Sequence, residues 1–106
     1  REERIVEIIS FIQKNYVDVT LDMLVDTFHL SKPYFSKYIK EKAGMTFQEV
    51  VREERMKKAR MLLKETNQTV KTIAANVGYE NVEHFNRLFK KAYDMTPVQY
   101  RKQSAE

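Results

Sequence analysis

At 106 residues, with 42 % apolar and 11 % aromatic side chains, the chain has material for one small domain or two very small units on a shared scaffold, and little for an enclosed substrate cavity. Two Gly and two Pro favour helices over a many-turned sheet, and the absence of Cys excludes a disulfide framework and thiolate metal sites. The net charge of +4 is uneven, with 8 basic against 9 acidic groups in residues 1–53 and 11 against 6 in residues 54–106. A basic half suggests a polyanionic partner, although solvated lysines are an ordinary alternative. No apolar run approaches the roughly 20 residues of a membrane span, and no signal-peptide pattern is present. The chain opens on Arg1, and we expect a piece of a longer protein.

In chain order, Ile5, Ile8, Ile9, Ile12 and Tyr16 recur at helical spacing, which predicts an amphipathic helix over 4–16. Thr20 caps a second helix with Leu21, Leu24, Val25 and Phe28 inward. Ser31 caps a third running to Ala43, with Pro33 in the first turn, where no intrahelical N–H is lost. Gly44 stops it at a position suited to left-handed dihedrals. Thr46 and Glu49 form a capping box, with Met45 and Val50 as a hydrophobic staple. The helix they open is expected to reach Glu65. Its apolar residues lie at two ends, Phe47, Val50 and Val51, then Met56, Ala59, Leu62 and Leu63. The charged Arg52–Arg55 stretch between them predicts a solvated middle, so the helix reads as a rod joining two cores.

The second half restates the first. Thr69 caps Val70–Val77, Gly78-Tyr79 turns the chain, and Asn81 caps a helix from Val82 to Tyr93. Met95-Thr96-Pro97-Val98-Gln99-Tyr100 repeats the staple and box, with Pro97 at its preferred first helical position. At an offset of 49, Thr20 meets Thr69, Leu24 meets Ile73 and Phe28 meets Val77. After the turn the offset is 50, where Phe35 meets Phe85, Lys37 meets Arg87 and Lys40 meets Lys90. One residue added in a turn accounts for the change. The expected fold is all-α, seven helices in two helix-turn-helix subdomains, 1–45 and 66–106, joined by a linker helix over 46–65.

In each unit the longer helix has one apolar side, Phe35, Tyr38, Ile39 and Lys42 in the first, and Phe85, Leu88, Phe89 and Ala92 in the second. Core packing then turns Lys32, Pro33, Ser36, Lys37 and Lys40 outward in the first, and Val82, Glu83, Asn86, Arg87 and Lys90 in the second. These are residue types that read base edges: Lys and Arg donate to guanine, Asn bridges adenine, Ser adapts. Pro33 and Val82 either touch thymine methyls or merely cap. Glu83 either accepts from cytosine or faces solvent, and His84 reads as a packing or first-turn residue rather than a contact. Lys40, Lys90 and Lys91 lie further along and suit phosphates, which fix position rather than sequence. An ordinary solvated face is the alternative for one such helix; two in register favour recognition.

Four blocks carry a family resemblance: Leu30-Ser31-Lys32-Pro33-Tyr34-Phe35-Ser36-Lys37, Ala59-Arg60-Met61-Leu62-Leu63, Ile73-Ala74-Ala75-Asn76-Val77-Gly78-Tyr79, and Phe85-Asn86-Arg87-Leu88-Phe89-Lys90-Lys91 followed by Met95-Thr96-Pro97-Val98-Gln99-Tyr100-Arg101. From about Thr20 to Arg101 the chain resembles the DNA-binding domain of AraC/XylS-type bacterial transcription regulators, in style closest to the response-regulator members. The resemblance implies two recognition helices in adjacent major-groove segments, with contact positions at Pro33, Ser36 and Lys37, and at Val82, Glu83, Asn86 and Arg87. It departs at Val25, where Ala is preferred, and at His29 and Asp94, where Gly is frequent. His and Asp tolerate positive φ better than most residues.

An enzyme is the first rival, but no nucleophile–base set and no phosphate-binding Gly loop is present, and no metal or other cofactor is expected. A helical protein-interaction domain is the second, and its marker would be a large exposed apolar patch. The expected partners are double-stranded DNA and RNA polymerase, with no membrane. The fragment is expected to be monomeric in the bacterial cytoplasm, with the full-length protein dimeric through a further domain.

Overall fold

The computed structural model describes residues Glu2–Ala105, with side chains from Arg4 onward. It holds seven α-helices: α1 (Glu2–Lys14), α2 (Leu21–Phe28), α3 (Lys32–Ala43), α4 (Phe47–Glu65), α5 (Val70–Asn76), α6 (Val82–Tyr93) and α7 (Pro97–Ala105). No strand occurs among the described residues, and no helix is long and apolar enough to cross a membrane. The chain divides into two compact units at Glu54 and Arg55, inside the unbroken α4.

The helix starts follow from their caps. Thr20, Ser31 and Thr69 accept through their hydroxyls from the backbone N–H of Met23, Tyr34 and Thr72, at 3.2, 3.3 and 3.0 Å, and Asn81 accepts through its amide oxygen from His84 at 2.8 Å. Each interaction satisfies one of the donors that a helix start leaves without an intrahelical acceptor. The two capping boxes are near-copies. Thr46 N–H donates to Glu49 Oε1 at 2.8 Å and Glu49 N–H to Thr46 Oγ1 at 3.1 Å; Thr96 and Gln99 repeat both bonds at 2.8 and 3.1 Å. The ends of α2, α3 and α6 turn through left-handed residues, His29 (φ 61°), Gly44 (φ 77°) and Asp94 (φ 60°). Each of these donates its N–H back to the residue four positions earlier.

In the first unit Ile8, Ile12, Val19, Leu24, Phe35, Ile39, Phe47 and Val51 form the core. Phe28 joins the layers by meeting Phe11 and Phe35 edge-on, at centroid distances of 6.0 and 5.8 Å, a preferred geometry for aromatic pairs. Helix α1 begins and ends two residues earlier than the 4–16 periodicity implied, so Tyr16 lies beyond it, half-buried. Asn15 ends the helix by donating its side-chain amide to Phe11 O at 2.9 Å.

The second unit buries Met56, Ala59, Leu63, Ile73, Ala74, Val77, Phe85, Phe89 and Pro97. Phe89 is its aromatic hub, 5.9 Å from Phe85, 4.8 Å from Tyr93 and 5.7 Å from Tyr100. The α5–α6 turn spans 77–81, two residues longer than the 29–31 turn. One residue is the shift in offset, and the other arises because α5 stops a residue early. Gly78 there takes φ 112°, which side chains rarely adopt, and Tyr79 N–H closes back on Ala74 O at 2.8 Å.

Two expectations about buried faces need correction. Lys42 and Ala92 are exposed, and Ala43 and Tyr93 continue the inner faces instead. From Phe35 and Ile39, and from Phe85 and Phe89, the next four-residue step lands on them. Nor is the charged middle of α4 solvated. Glu54 is buried, Arg52 and Arg55 are half-buried, and only Glu53 of the four is exposed. Glu54 follows Val51 by three residues and so falls on the buried stripe. Arg55 packs its guanidinium over the Tyr79 ring at 5.1 Å.

Candidate nucleic-acid interface

Helices α2 and α3 pack together in the first unit, and α5 and α6 in the second, each pair around a tight turn. Burial of Phe35 and Ile39 fixes the roll of α3, and burial of Phe85 and Phe89 fixes that of α6. The first face then presents Lys32, Pro33, Ser36, Lys37 and Lys40, all exposed. Lys32 is engaged within the unit: its ammonium lies 2.9 Å from Asp22 Oδ1, joining α2 to the start of α3. Both groups are well exposed, so this pair contributes little to stability.

The second face presents Glu83, Arg87, Lys90 and Lys91 in solvent, with Val82 half-buried. Asn86 departs from the outward placement expected for it. It is half-buried, and its Oδ1 is shielded from solvent with no hydrogen-bond partner. The cause is angular: Asn86 is about 60° around the helix from Phe89, on the margin of the core stripe. His84, in the first turn of α6, is exposed, and its ring meets Tyr79 edge-on at 5.8 Å.

Three features were not legible in the sequence. Tyr34, read only as part of a block, is 50 % exposed beside the α3 face and stacks on Tyr38. Arg101 donates through Nε to Leu63 O at 3.0 Å and through a terminal nitrogen to Thr66 O at 3.2 Å, closing the carbonyl end of α4. A cation there also complements the helix dipole. Arg60 lies over the Tyr93 ring at 4.7 Å, with its Nε shielded and unpartnered. Arg55, Arg60 and Arg101 are therefore taken up inside the second unit, and a bare count of basic residues overstates its surface charge. No local sequence signal marks these pairs, since Arg55 and Arg60 lie in the interior of α4 and their tyrosines on other elements.

Both faces thus offer hydrogen-bond donors on an exposed helix flank, with an apolar or proline side chain one turn earlier. Among the described residues no cluster of three His, Asp or Glu is placed to hold a metal ion. A helix-turn-helix domain family model matches residues 24–103. The chain belongs to the AraC-type helix-turn-helix family.

The C-terminal domain of the two-component response regulator YesN from Fusobacterium nucleatum is 40 % identical, with a TM-score of 0.83 over 90 % of this chain and 95 % of that one. The C-terminal domain of AraT, a response regulator from Geobacillus stearothermophilus, is 34 % identical, with a TM-score of 0.88 over 93 % of this chain and 84 % of that one. The xylose operon regulatory protein of Escherichia coli K12 is 34 % identical over 83 % of this chain, which spans only 22 % of that protein's length. In this AraC-type domain His29 and Asp94 reach left-handed dihedrals without being Gly. Val25 is half-buried against the first core.

Proposed function

We propose that this AraC-type domain binds double-stranded DNA sequence-specifically to regulate transcription, with α3 and α6 each entering a major-groove segment. One observation carries the reading: a single helix-turn-helix frame occurs twice, and each copy turns a donor-bearing helix face away from its core. Lys37 and Arg87 are the principal base readers, donating to guanine O6 and N7. Ser36 and Lys32 add adaptable polar contacts, and Asn86, whose Oδ1 is shielded at the margin of the core, adds only its amide N–H donors. Pro33 and Val82 meet thymine methyls, and Glu83 accepts from cytosine N4. Lys40, Lys90 and Lys91 hold phosphates and set position. RNA polymerase is the second partner this reading assigns to the whole protein, acting in the bacterial cytoplasm.

The exposed Lys and Arg side chains make the reading testable by salt. With roughly six phosphate contacts, the slope of log K against log salt concentration is expected near −5. Titration of a labelled duplex at four salt concentrations measures it. A slope near zero would contradict a DNA role.

A further inference from the structure

Among the described phenylalanines and tyrosines only Tyr34 is exposed, at 50 %. It is the third residue of α3, and Ser31 caps its N–H. Around the helix it lies about 60° from Lys37 and about 100° from Pro33, so it borders the reading face without belonging to the core. Its ring stacks on Tyr38, one turn later, with centroids 5.9 Å apart and planes 21° from parallel. Lys42, a further turn on, sets its ammonium 6.0 Å from the Tyr38 ring centroid. The Tyr34 hydroxyl has no hydrogen-bond partner among the described residues. A large ring is thus left in water, held by a neighbour, with an unused donor at its tip.

The second unit lacks this device. At the repeat offset of 50, Tyr34, Tyr38 and Lys42 correspond to His84, Leu88 and Ala92. His84 turns its ring to Tyr79 rather than along its own helix. Stacking within α3 is therefore a property of the first unit and not of the shared frame. A Tyr side chain loses little rotamer entropy on being fixed and carries a polar tip. Tyr hydroxyls are among the groups that donate to DNA phosphates.

We propose that Tyr34 contacts a backbone phosphate at the edge of the groove entered by α3, with Tyr38 as the positioning residue that holds its ring. The contact rests on the DNA-reading role of α3, and it adds affinity without adding sequence information. Because the phenol is neutral, it displaces no counterion, so its loss lowers affinity without changing the salt slope. That behaviour separates it from every lysine on the same face.

The test compares Tyr34→Phe, Tyr38→Leu, their double variant and Lys37→Ala, each titrated against a selected duplex and a random one. Tyr34→Phe keeps the ring and the stack. It is expected to weaken binding roughly tenfold on both duplexes, the scale of one charge-assisted hydrogen bond, with base preference and salt slope unchanged. In the Tyr38→Leu background the same change should cost less than in the parent, because the hydroxyl is no longer held in place. Parental affinity in Tyr34→Phe, with lost preference in Lys37→Ala, would overturn the Tyr34 contact and leave the α3 reading intact. A preference change confined to one base pair in Tyr34→Phe would overturn it in favour of a base contact. Parental behaviour in both Tyr34→Phe and Lys37→Ala would remove the reading of α3 itself.

Discussion

The two units share a frame and fill it differently. Helix caps and capping boxes recur at fixed offsets, as does the left-handed helix end at Gly44 and Asp94, while the side chains that secure the cores diverge. The first unit closes with aliphatic residues, Ile8, Ile12, Leu24 and Ile39, plus an edge-on row of Phe11, Phe28 and Phe35. The second draws Tyr79, Tyr93 and Tyr100 around Phe85 and Phe89 and backs two of those tyrosines with Arg55 and Arg60. At the offset of 50, the buried Val51 of the first unit corresponds to Arg101 of the second. One position is spent on core volume and the other on closing a helix end. Duplication therefore conserves what the backbone requires, and side chains vary where only volume or a polar partner is needed.

Arg101 offers the largest way to break this contrast. Arg101→Ala leaves the carbonyls of Leu63 and Thr66 without their donors and is expected to cost about 1–3 kcal/mol. Arg101→Lys keeps the charge but not the paired donors and should fall between. Urea unfolding followed by circular dichroism measures both. An alanine variant as stable as the parent would mean that the α4 end is satisfied equally well by water.

The left-handed helix ends give a smaller effect with a predicted change of sign. Asp94→Gly and His29→Gly each relieve a side chain at φ near 60° and should stabilise by about 0.5–1 kcal/mol. Gly44→Ala should destabilise by about 1 kcal/mol through backbone strain alone, since nothing lies within 4 Å of the added Cβ. Thermal unfolding of the three variants tests this, and an Asp94→Gly variant below parental stability would point to a role for the Asp94 carboxylate.

The smallest effect separates the two capping boxes by pH. The backbone hydrogen bond from Thr46 is the main influence holding the Glu49 carboxyl below its ordinary pKa. A depressed carboxyl contributes stability fully above the unfolded value, and loses it as pH falls through the lower folded value. Gln99, which occupies the same place in the second box, does not titrate. Amide exchange at Thr46 should therefore accelerate relative to the intrinsic rate as pH falls through the lowered folded-state pKa of Glu49, with Thr96 unaffected. Glu49→Gln should abolish the difference, and equal acid responses at both boxes would contradict it.

Much of the frame was legible in the sequence, because caps and turns obey local rules. Thr20, Ser31, Thr69 and Asn81 cap helices, Gly44 and Gly78 turn the chain at positive φ, and Phe35 and Phe85 are fully buried. The positions that escaped depend on neighbours from other elements. Periodicity put Lys42 and Ala92 inward, but the core does not extend beneath them. Glu54 was read as solvated from its charge, although its register lies on the buried stripe. Asn86 sits on the margin, where a few degrees of helix roll decide between groove and core. The Lys32–Asp22 pair and the Arg101 bonds join separate helices, and no local pattern encodes such pairings.

Selection of bound sequences from random duplexes, run in parallel on the parent, Lys37→Ala and Arg87→Ala, tests most directly whether both repeats read DNA. The parent should yield two informative base clusters. Lys37→Ala should relax preference within one and Arg87→Ala within the other, each costing roughly 1–3 kcal/mol on the selected site. Folded variants that both return the parental profile would contradict the account.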